Sequence, residues 1–222
     1  MGTIPAPLVR SLKRRLGLVR AVETGTWVGG GALLLSDAFD DVTTIELSPE
    51  VAGRAREILA REPVTVLEGD SRTLLQPSIG PTFYFLDAHW CGGITGGVEA
   101  ECPVLEELDA IAGGSLDDVI VIDDAKLFVE PPPPPHSAED WPTLAVVEER
   151  IARHWPGHRV AVAHDQIVAV PERAADLVEH WSSQPFVPPQ RDRNPVRRAL
   201  RRVKRLARRG PARTRPAPRA RG

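Results

Sequence analysis

The chain has 222 residues, with 28 Lys+Arg, 30 Asp+Glu and 42% hydrophobic residues, enough for one well-buried α/β core and too few for two large domains. Apolar runs such as Ala32 to Leu35 stop far short of the roughly 20 residues a membrane span needs, the start lacks a signal-peptide pattern, and two cysteines, Cys91 and Cys102, build neither a disulfide framework nor a four-thiolate zinc site; a reducing cytoplasm is the expected compartment. The net charge of −2 hides a division: residues 191–222 hold 14 Lys+Arg and one acid, Asp192, a charge of +13, while the rest holds 14 basic and 29 acidic groups, a charge of −15.

In chain order, residues 1–18 are expected as a helical segment. Val19 to Thr24 reads as a strand closed by Gly25, and Gly29-Gly30-Gly31 leads into a helix at Ala32. Val42 to Leu47 is a β-branched second strand. Ser48-Pro49 opens a helix, with Ser48 as cap and Pro49 in the first turn, running to about Arg61. Val64 to Leu67 is a third strand, ending at Gly69-Asp70. Thr82 to Leu86 is a fourth, ending at Asp87. A glycine-rich loop, Cys91 to Gly97, precedes a helix from about Glu101 to Ala112. Asp118 to Ile122 is a fifth strand, ending at Asp123-Asp124. Pro131 to Pro135 can only be a stiff extended spacer. A helix from Thr143 to His154 follows. Arg159 to Ala163 and Ile167 to Val170, separated by His164-Asp165-Gln166, then read as a hairpin.

Alternating strands and helices closed by a hairpin mean a mostly parallel sheet, covered on both faces, with an antiparallel edge. Ligands of such sheets bind beyond the carboxyl ends of the strands. Glu23, Glu46, Asp70, Asp87, Asp123 and Asp124 all fall at or near those ends.

The first turn, Glu23-Thr24-Gly25-Thr26-Trp27-Val28-Gly29, has its glycines four apart and an acid two residues before the first. A dinucleotide site would show G-x-G-x-x-G instead. A carboxylate in that place suits a cofactor with positive charge better than a pyrophosphate. Glu46, 21 residues after Gly25, is placed to accept from both ribose hydroxyls, and Asp70, with Ser71 beside it, from an adenine amino group.

This ordered set resembles the class I S-adenosylmethionine-dependent methyltransferases over about residues 18–171. The resemblance implies a Rossmann-like, seven-stranded, mostly parallel sheet with a terminal antiparallel hairpin and helices on both faces. It also implies S-adenosylmethionine over Gly25 to Gly31. In that match Glu23 and Gly25 face the methionine part, with Thr26 and Gly29 in the same turn, Glu46 the ribose, and Asp70 and Ser71 the adenine. The methyltransferase domain is then 19–183, followed by a Pro/Arg-rich basic tail, 184–222.

Neighbouring parallel strands lie about 5 Å apart, so Asp87, Asp123 and Asp124 are expected to meet. Carboxylates that close repel and raise one another's pKa unless a cation intervenes, and a hard divalent ion such as Mg²⁺ would relieve them. The alternative is that Asp123 and Asp124 cap a loop. The pattern looks like the metal-dependent catechol-type and macrolide or aminocoumarin sugar O-methyltransferases, which implies a metal on Asp87, Asp123 and Asp124 and a small-molecule hydroxyl as acceptor. The catechol-type lysine after the first acid is missing; His89 and Trp90 stand there. His89 is the expected base. Lys126 is the competing base or a salt-bridge partner of the acid pair. Trp90, Trp141 and Phe128 line an acceptor pocket or pack in the core, and Glu101 caps a helix or faces the site. A metal-independent methyltransferase, and a non-catalytic binding protein acting through its tail, are the alternative functions.

In the tail, Val196, Leu200, Val203 and Leu206 share one helical face among arginines and Lys204, a possible amphipathic basic helix over 195–209. An anionic membrane surface, nucleic acid and the acidic body, within a chain or in a homo-oligomer, are its expected partners. The first would add a peripheral membrane location to the cytoplasmic one.

Overall fold

The computed structural model describes residues 6–89 and 101–185. Trp90, the loop Cys91 to Gly97 and the basic helix expected over 195–209 lie outside the described residues.

Seven strands form one sheet in the order β3-β2-β1-β4-β5-β7-β6. They are β1 (Arg20–Thr24), β2 (Val42–Glu46), β3 (Val64–Glu68), β4 (Thr82–Leu86), β5 (Val119–Asp123), β6 (His158–Ala163) and β7 (Gln166–Pro171). Strands β1 to β5 pair in parallel, and β7 runs antiparallel to both β5 and β6. The hairpin is tighter than the sequence suggests. Ala163 pairs with Gln166, leaving a two-residue loop in which His164 and Asp165 both take positive φ. That is the mirror-image turn whose twist matches a hairpin.

The β4 sequence shows why the sheet is covered on both sides. Phe83 and Phe85 enter one core and Tyr84 and Leu86 the other, the two-residue period of a strand. The first core is filled from α1 (Ala6–Leu16), α2 (Gly30–Ser36), α3 (Pro49–Leu59) and α8 (Ala175–Ser183). The second is filled from α5 (Val104–Ile111) and α7 (Leu144–His154). Two single-turn helices, α4 (Ser71–Leu74) and α6 (Lys126–Val129), follow β3 and β5. Helix α5 begins later than the sequence suggests, because Pro103 takes its N-cap position. Among the described residues no helix is long and apolar enough to cross a membrane.

Register decides what the sheet presents. Thr24 pairs with Leu86, and Leu86 with Ile122. Gly25 and Asp87, the first residues beyond β1 and β4, therefore stand level with Asp123, the last residue of β5. The order of strands reverses direction between β1 and β4, the place where open α/β sheets hold their ligands.

Candidate active site

The loop after β1 is shaped by three contacts. Gly25 and Gly29 both have φ of 76°. A Cβ on Gly25 would stand 2.0 Å from the Asp87 carbonyl oxygen, so glycine is required there for β1 to pass β4, whatever binds above. Trp27, a bulky residue with φ of 48°, is held in that conformation by its backbone N–H, which donates to Glu46 Oε2 at 2.8 Å. The other Glu46 oxygen accepts from the Ser48 backbone N–H at 3.0 Å. Glu46 is thus fixed in place by two amides, and each oxygen keeps a lone pair for a ligand hydroxyl. The side chains of Trp27, Leu47 and Leu74 remain exposed near this acid and form an apolar surface.

Glu23 sits lower than the resemblance implies. Its carboxyl accepts from Thr44 Oγ1 at 2.6 Å, and Thr44 in turn meets Thr26 Oγ1 at 2.7 Å. It also takes the Ala32 backbone N–H in the first turn of α2. With 2% exposure, Glu23 braces the glycine loop from beneath instead of facing its open side. Burial first, opposed by these hydrogen bonds, pushes its pKa up to about 8. Thr26 belongs to the same buried chain.

Asp70 is also engaged. It caps α4 by accepting the Arg72 backbone N–H, and the Arg72 guanidinium reaches both of its oxygens, with Nε at 3.0 Å from each and Nη2 at 2.6 Å from Oδ2. These bonds hold its carboxyl below the usual range. Ser71, next to it, is buried and points to an acid that sequence reasoning missed, Glu107 of α5. The hydroxyls of Ser71 and Thr24 hydrogen-bond to Glu107, whose Oε1 is buried with no partner. Burial pushes its pKa up to about 7. The signal was present: Glu107 interrupts the apolar stripe Val104, Leu108, Ile111, where a buried helix face should have no acid.

On the other side of the β1/β4 junction the acids crowd one another. Burial, and then the neighbouring charges of Asp123, Glu23 and Asp124, raise Asp87 well above the ordinary carboxylate range. Asp123 is raised by burial and by Asp124. Asp124 is lowered, chiefly by its hydrogen bond with His89. His89 Nε2 lies 3.0 Å from Asp124 Oδ2, and Nδ1 lies 3.4 Å from Asp87 Oδ1. The imidazole therefore spans the gap between the two strand ends.

That placement changes the expectation of a magnesium centre on Asp87, Asp123 and Asp124. The acids do converge, but the space between Asp87 and Asp124 is filled by a ring that bonds to Asp124 at 3.0 Å and stands 3.4 Å from Asp87. Among the described residues, no group of three or more His, Cys, Asp or Glu side chains is arranged to hold a metal ion. As they stand, these residues do not fit one.

Lys126 is placed as a tether. Its Nζ is 2.9 Å from Asp165 Oδ2 and 3.4 Å from Asp124 Oδ1, and its backbone N–H donates to Asp165 Oδ1. The Asp165 bond raises its pKa, so it stays charged at neutral pH and is a poor base. Glu101 does not cap α5. It accepts from Trp141 Nε1 at 3.0 Å and from the Ser137 backbone N–H, and pairs with His136 Nδ1 at 3.1 Å. The chain beyond the proline run is thereby anchored so that the buried Trp141 ring lies 5.4 Å from both His89 and Phe128. Trp141 and Phe128 are packing residues that form the wall behind His89.

The architecture recurs in solved structures at low sequence identity. An O-methyltransferase from Bacillus cereus in complex with S-adenosylhomocysteine matches over 77% of this chain and 82% of its own, at 17% identity and a TM-score of 0.52. The O-methyltransferase TomG from Streptomyces achromogenes, involved in tomaymycin synthesis and solved with S-adenosylmethionine, matches over 75% and 79%, at 19% identity and a TM-score of 0.50. A candidate caffeoyl-CoA O-methyltransferase from Staphylococcus aureus matches over 77% and 84%, at 14% identity and a TM-score of 0.52. The fold is that of the S-adenosylmethionine-dependent methyltransferases. No family model matches the sequence, and neither does any curated protein sequence.

Proposed function

We propose that the protein is an S-adenosylmethionine-dependent methyltransferase acting on a hydroxyl of a small molecule, a sugar or another secondary metabolite. One observation carries this reading. The anchored Glu46 loop and the His89-bridged acids leave the sheet on either side of the β1/β4 junction, so a nucleoside on one side would present its methyl toward a proton acceptor on the other.

In this reading Glu46 holds the ribose, Trp27, Leu47 and Leu74 flank the base, and the Gly25 to Gly29 turn lies against the methionine part. The bound cofactor supplies an electrophilic methyl on a sulfonium. Asp124 fixes Nε2 of His89, which leaves the Nδ1 lone pair, on the side of Asp87, to take the proton released by the acceptor hydroxyl as its oxygen bonds the methyl and the sulfur–methyl bond breaks. General-base help of this kind is typically worth about 10² to 10⁴ in rate. Alignment of oxygen and methyl can supply roughly 7–11 kcal/mol more of the barrier. Trp141 limits the freedom of the imidazole from behind.

Calorimetric titration with S-adenosylmethionine and S-adenosylhomocysteine tests the first half; an absence of binding by both would refute the reading. Methyl gain by sugars and phenols, followed by mass spectrometry, tests the second. No step is routed through a metal, so activity is expected to persist in excess chelator. Strict dependence on an added divalent cation would restore the metal-assisted reading, with Asp87, Asp123 and Asp124 as its ligands. The charge of residues 191–222 adds an anionic membrane surface to the proposal. Cosedimentation with anionic but not neutral vesicles is expected, and retention by RNA or DNA alone would replace it.

A further inference from the structure

Asp124 holds one nitrogen of His89, and a single hydrogen bond leaves an imidazole free to swing about that contact. We infer that Glu101 is a positioning residue for this ring: by fixing the Trp141 indole it sets the plane against which His89 stands, and so the direction of Nδ1. This inference rests on the proposal that His89 takes the proton of the acceptor.

Three observations converge. Nε2 of His89 lies 3.0 Å from Asp124, but Nδ1 stands 3.4 Å from Asp87, too far to fix the ring from that side. The remaining restraint is the buried Trp141 ring, whose centroid lies 5.4 Å from that of His89 at an interplanar angle of 57°. The same indole meets Phe128 at 5.4 Å and His136 at 5.6 Å, both edge to face. Ring contacts of this kind are broad in geometry and do not by themselves hold an indole in one orientation. Its single polar atom does: Nε1 donates to Glu101 Oε2 at 3.0 Å. Glu101 is itself fixed, since both of its oxygens accept the Ser137 backbone N–H at 3.2 Å and His136 Nδ1 lies 3.1 Å from Oε2. A carboxylate, which only accepts, suits so many donors at once, and a buried network whose members are satisfied is rigid.

The link transmits position and carries no proton. Loss of the Nε1 bond would free the indole and, through it, the imidazole whose Nδ1 must stay aimed at the acceptor oxygen. A misplacement of about 1 Å caused far from the chemistry can cost about a hundredfold in rate. The same loss leaves the Glu46 loop as it is, because that loop is held by its own amides on the other side of the β1/β4 junction. Turnover should therefore fall while cofactor affinity stays.

The test reads the His89 ring directly. In the full chain with ¹³C-labelled histidine, the Cε1–Hε1 signal of His89, identified by its absence in His89→Gln, should be single and sharp. Glu101→Leu should broaden or displace it, and Trp141→Phe, which removes Nε1 but keeps a ring, should do the same. Glu101→Gln keeps an oxygen for Nε1 and should restore most of the native signal. Phe39→Leu, in the core on the opposite face of the sheet, lowers stability without touching this wall and should leave the signal alone. In the methyl-gain assay with sugars and phenols, Glu101→Leu should lower kcat by about ten- to a hundredfold, with KM and S-adenosylhomocysteine affinity within about twofold. An unmoved signal in both Glu101→Leu and Trp141→Phe overturns the inference. So does an equal displacement in Phe39→Leu, which would make Glu101 a brace of the fold and nothing more. If Glu101→Leu does not fold, Trp141→Phe and Glu101→Gln still decide. Undiminished turnover in His89→Gln removes the reading on which the inference rests, and a displaced signal would then report a structural contact alone.

Discussion

The two halves of the rim use their acids in opposite ways. In the half built from β1 to β3, Glu23, Glu46 and Asp70 each accept several donors from the chain itself, so their positions are fixed before any ligand arrives. In the half built from β4 and β5, Asp87 and Asp123 face like charges, and relief comes from His89 and Lys126. Satisfied acids make a rigid recognition surface. Acids that repel, with an imidazole between them, make a place where a proton can move with little cost.

The sharpest way to break this division is at the point where the halves touch. Gly25→Ala would drive a methyl into the Asp87 carbonyl and force a positive φ on alanine. We expect a loss of about 2–4 kcal/mol in stability, read by chemical denaturation, together with loss of S-adenosylhomocysteine binding. Near-native stability would mean that the β1/β4 approach is not fixed as described.

His89→Gln separates the halves chemically. Turnover should fall by about 10² to 10⁴, while calorimetric affinity for S-adenosylhomocysteine stays within a few fold. A matching fall in affinity would place His89 in the recognition half.

The pH dependence of stability follows from the buried acids. Glu23 is raised to about 8, and Glu107 and Asp118, the latter buried beneath the start of β4, to about 7. The folded state holds these protons where the unfolded chain has released them, so stability is greatest below the unfolded values near 4 and is lost as pH rises toward 7–8. The slope is about 1.4 kcal/mol per pH unit for each proton difference. Asp124 and Asp70 are lowered and act in the opposite direction, but only in acid. Urea melts at pH 5.5 and 8.5 should show the lower stability at 8.5. Glu23→Gln, which keeps an acceptor for Thr44, should flatten part of the difference.

Smaller effects sharpen the picture. Trp141→Phe removes the Nε1 donor to Glu101 but keeps a ring behind His89, and should cost about 1.5–3 kcal/mol in thermal or chemical melts. Lys126→Met should change turnover less than about threefold and stability by under about 1 kcal/mol, since its pairs are solvent-exposed. A collapse of turnover in that variant would make Lys126 the base after all.

Much of this was legible in the chain and some was not. Phe83 to Leu86 and Val119 to Ile122 announce buried strands by composition, and Gly25 and Pro49 mark the ends of the first two strands, because these signals are local. The rim acids were legible as well, since strand ends can be read from the same pattern. Glu107 was legible as an acid on an apolar helix face, but its partners were not: Ser71 and Thr24 lie 36 and 83 residues earlier, and only the packing of α5 joins them. The engagement of Asp70 by Arg72 and the turn of Glu101 toward Trp141 were likewise out of reach, because a side chain's rotamer answers to neighbours that the fold supplies.

The sequence by itself determined the order of strands and helices, the sheet with its antiparallel edge, and which side of that sheet is acidic. Period, turn residues and charge are written one residue after another and need no third dimension. Tertiary structure alone decided which acids are satisfied and which are opposed, that His89 stands between Asp87 and Asp124, and that Glu23 lies under the glycine loop. Electrostatic and hydrogen-bond energies vary steeply over a few ångströms, and distances on that scale between remote residues exist only once the strands are in register.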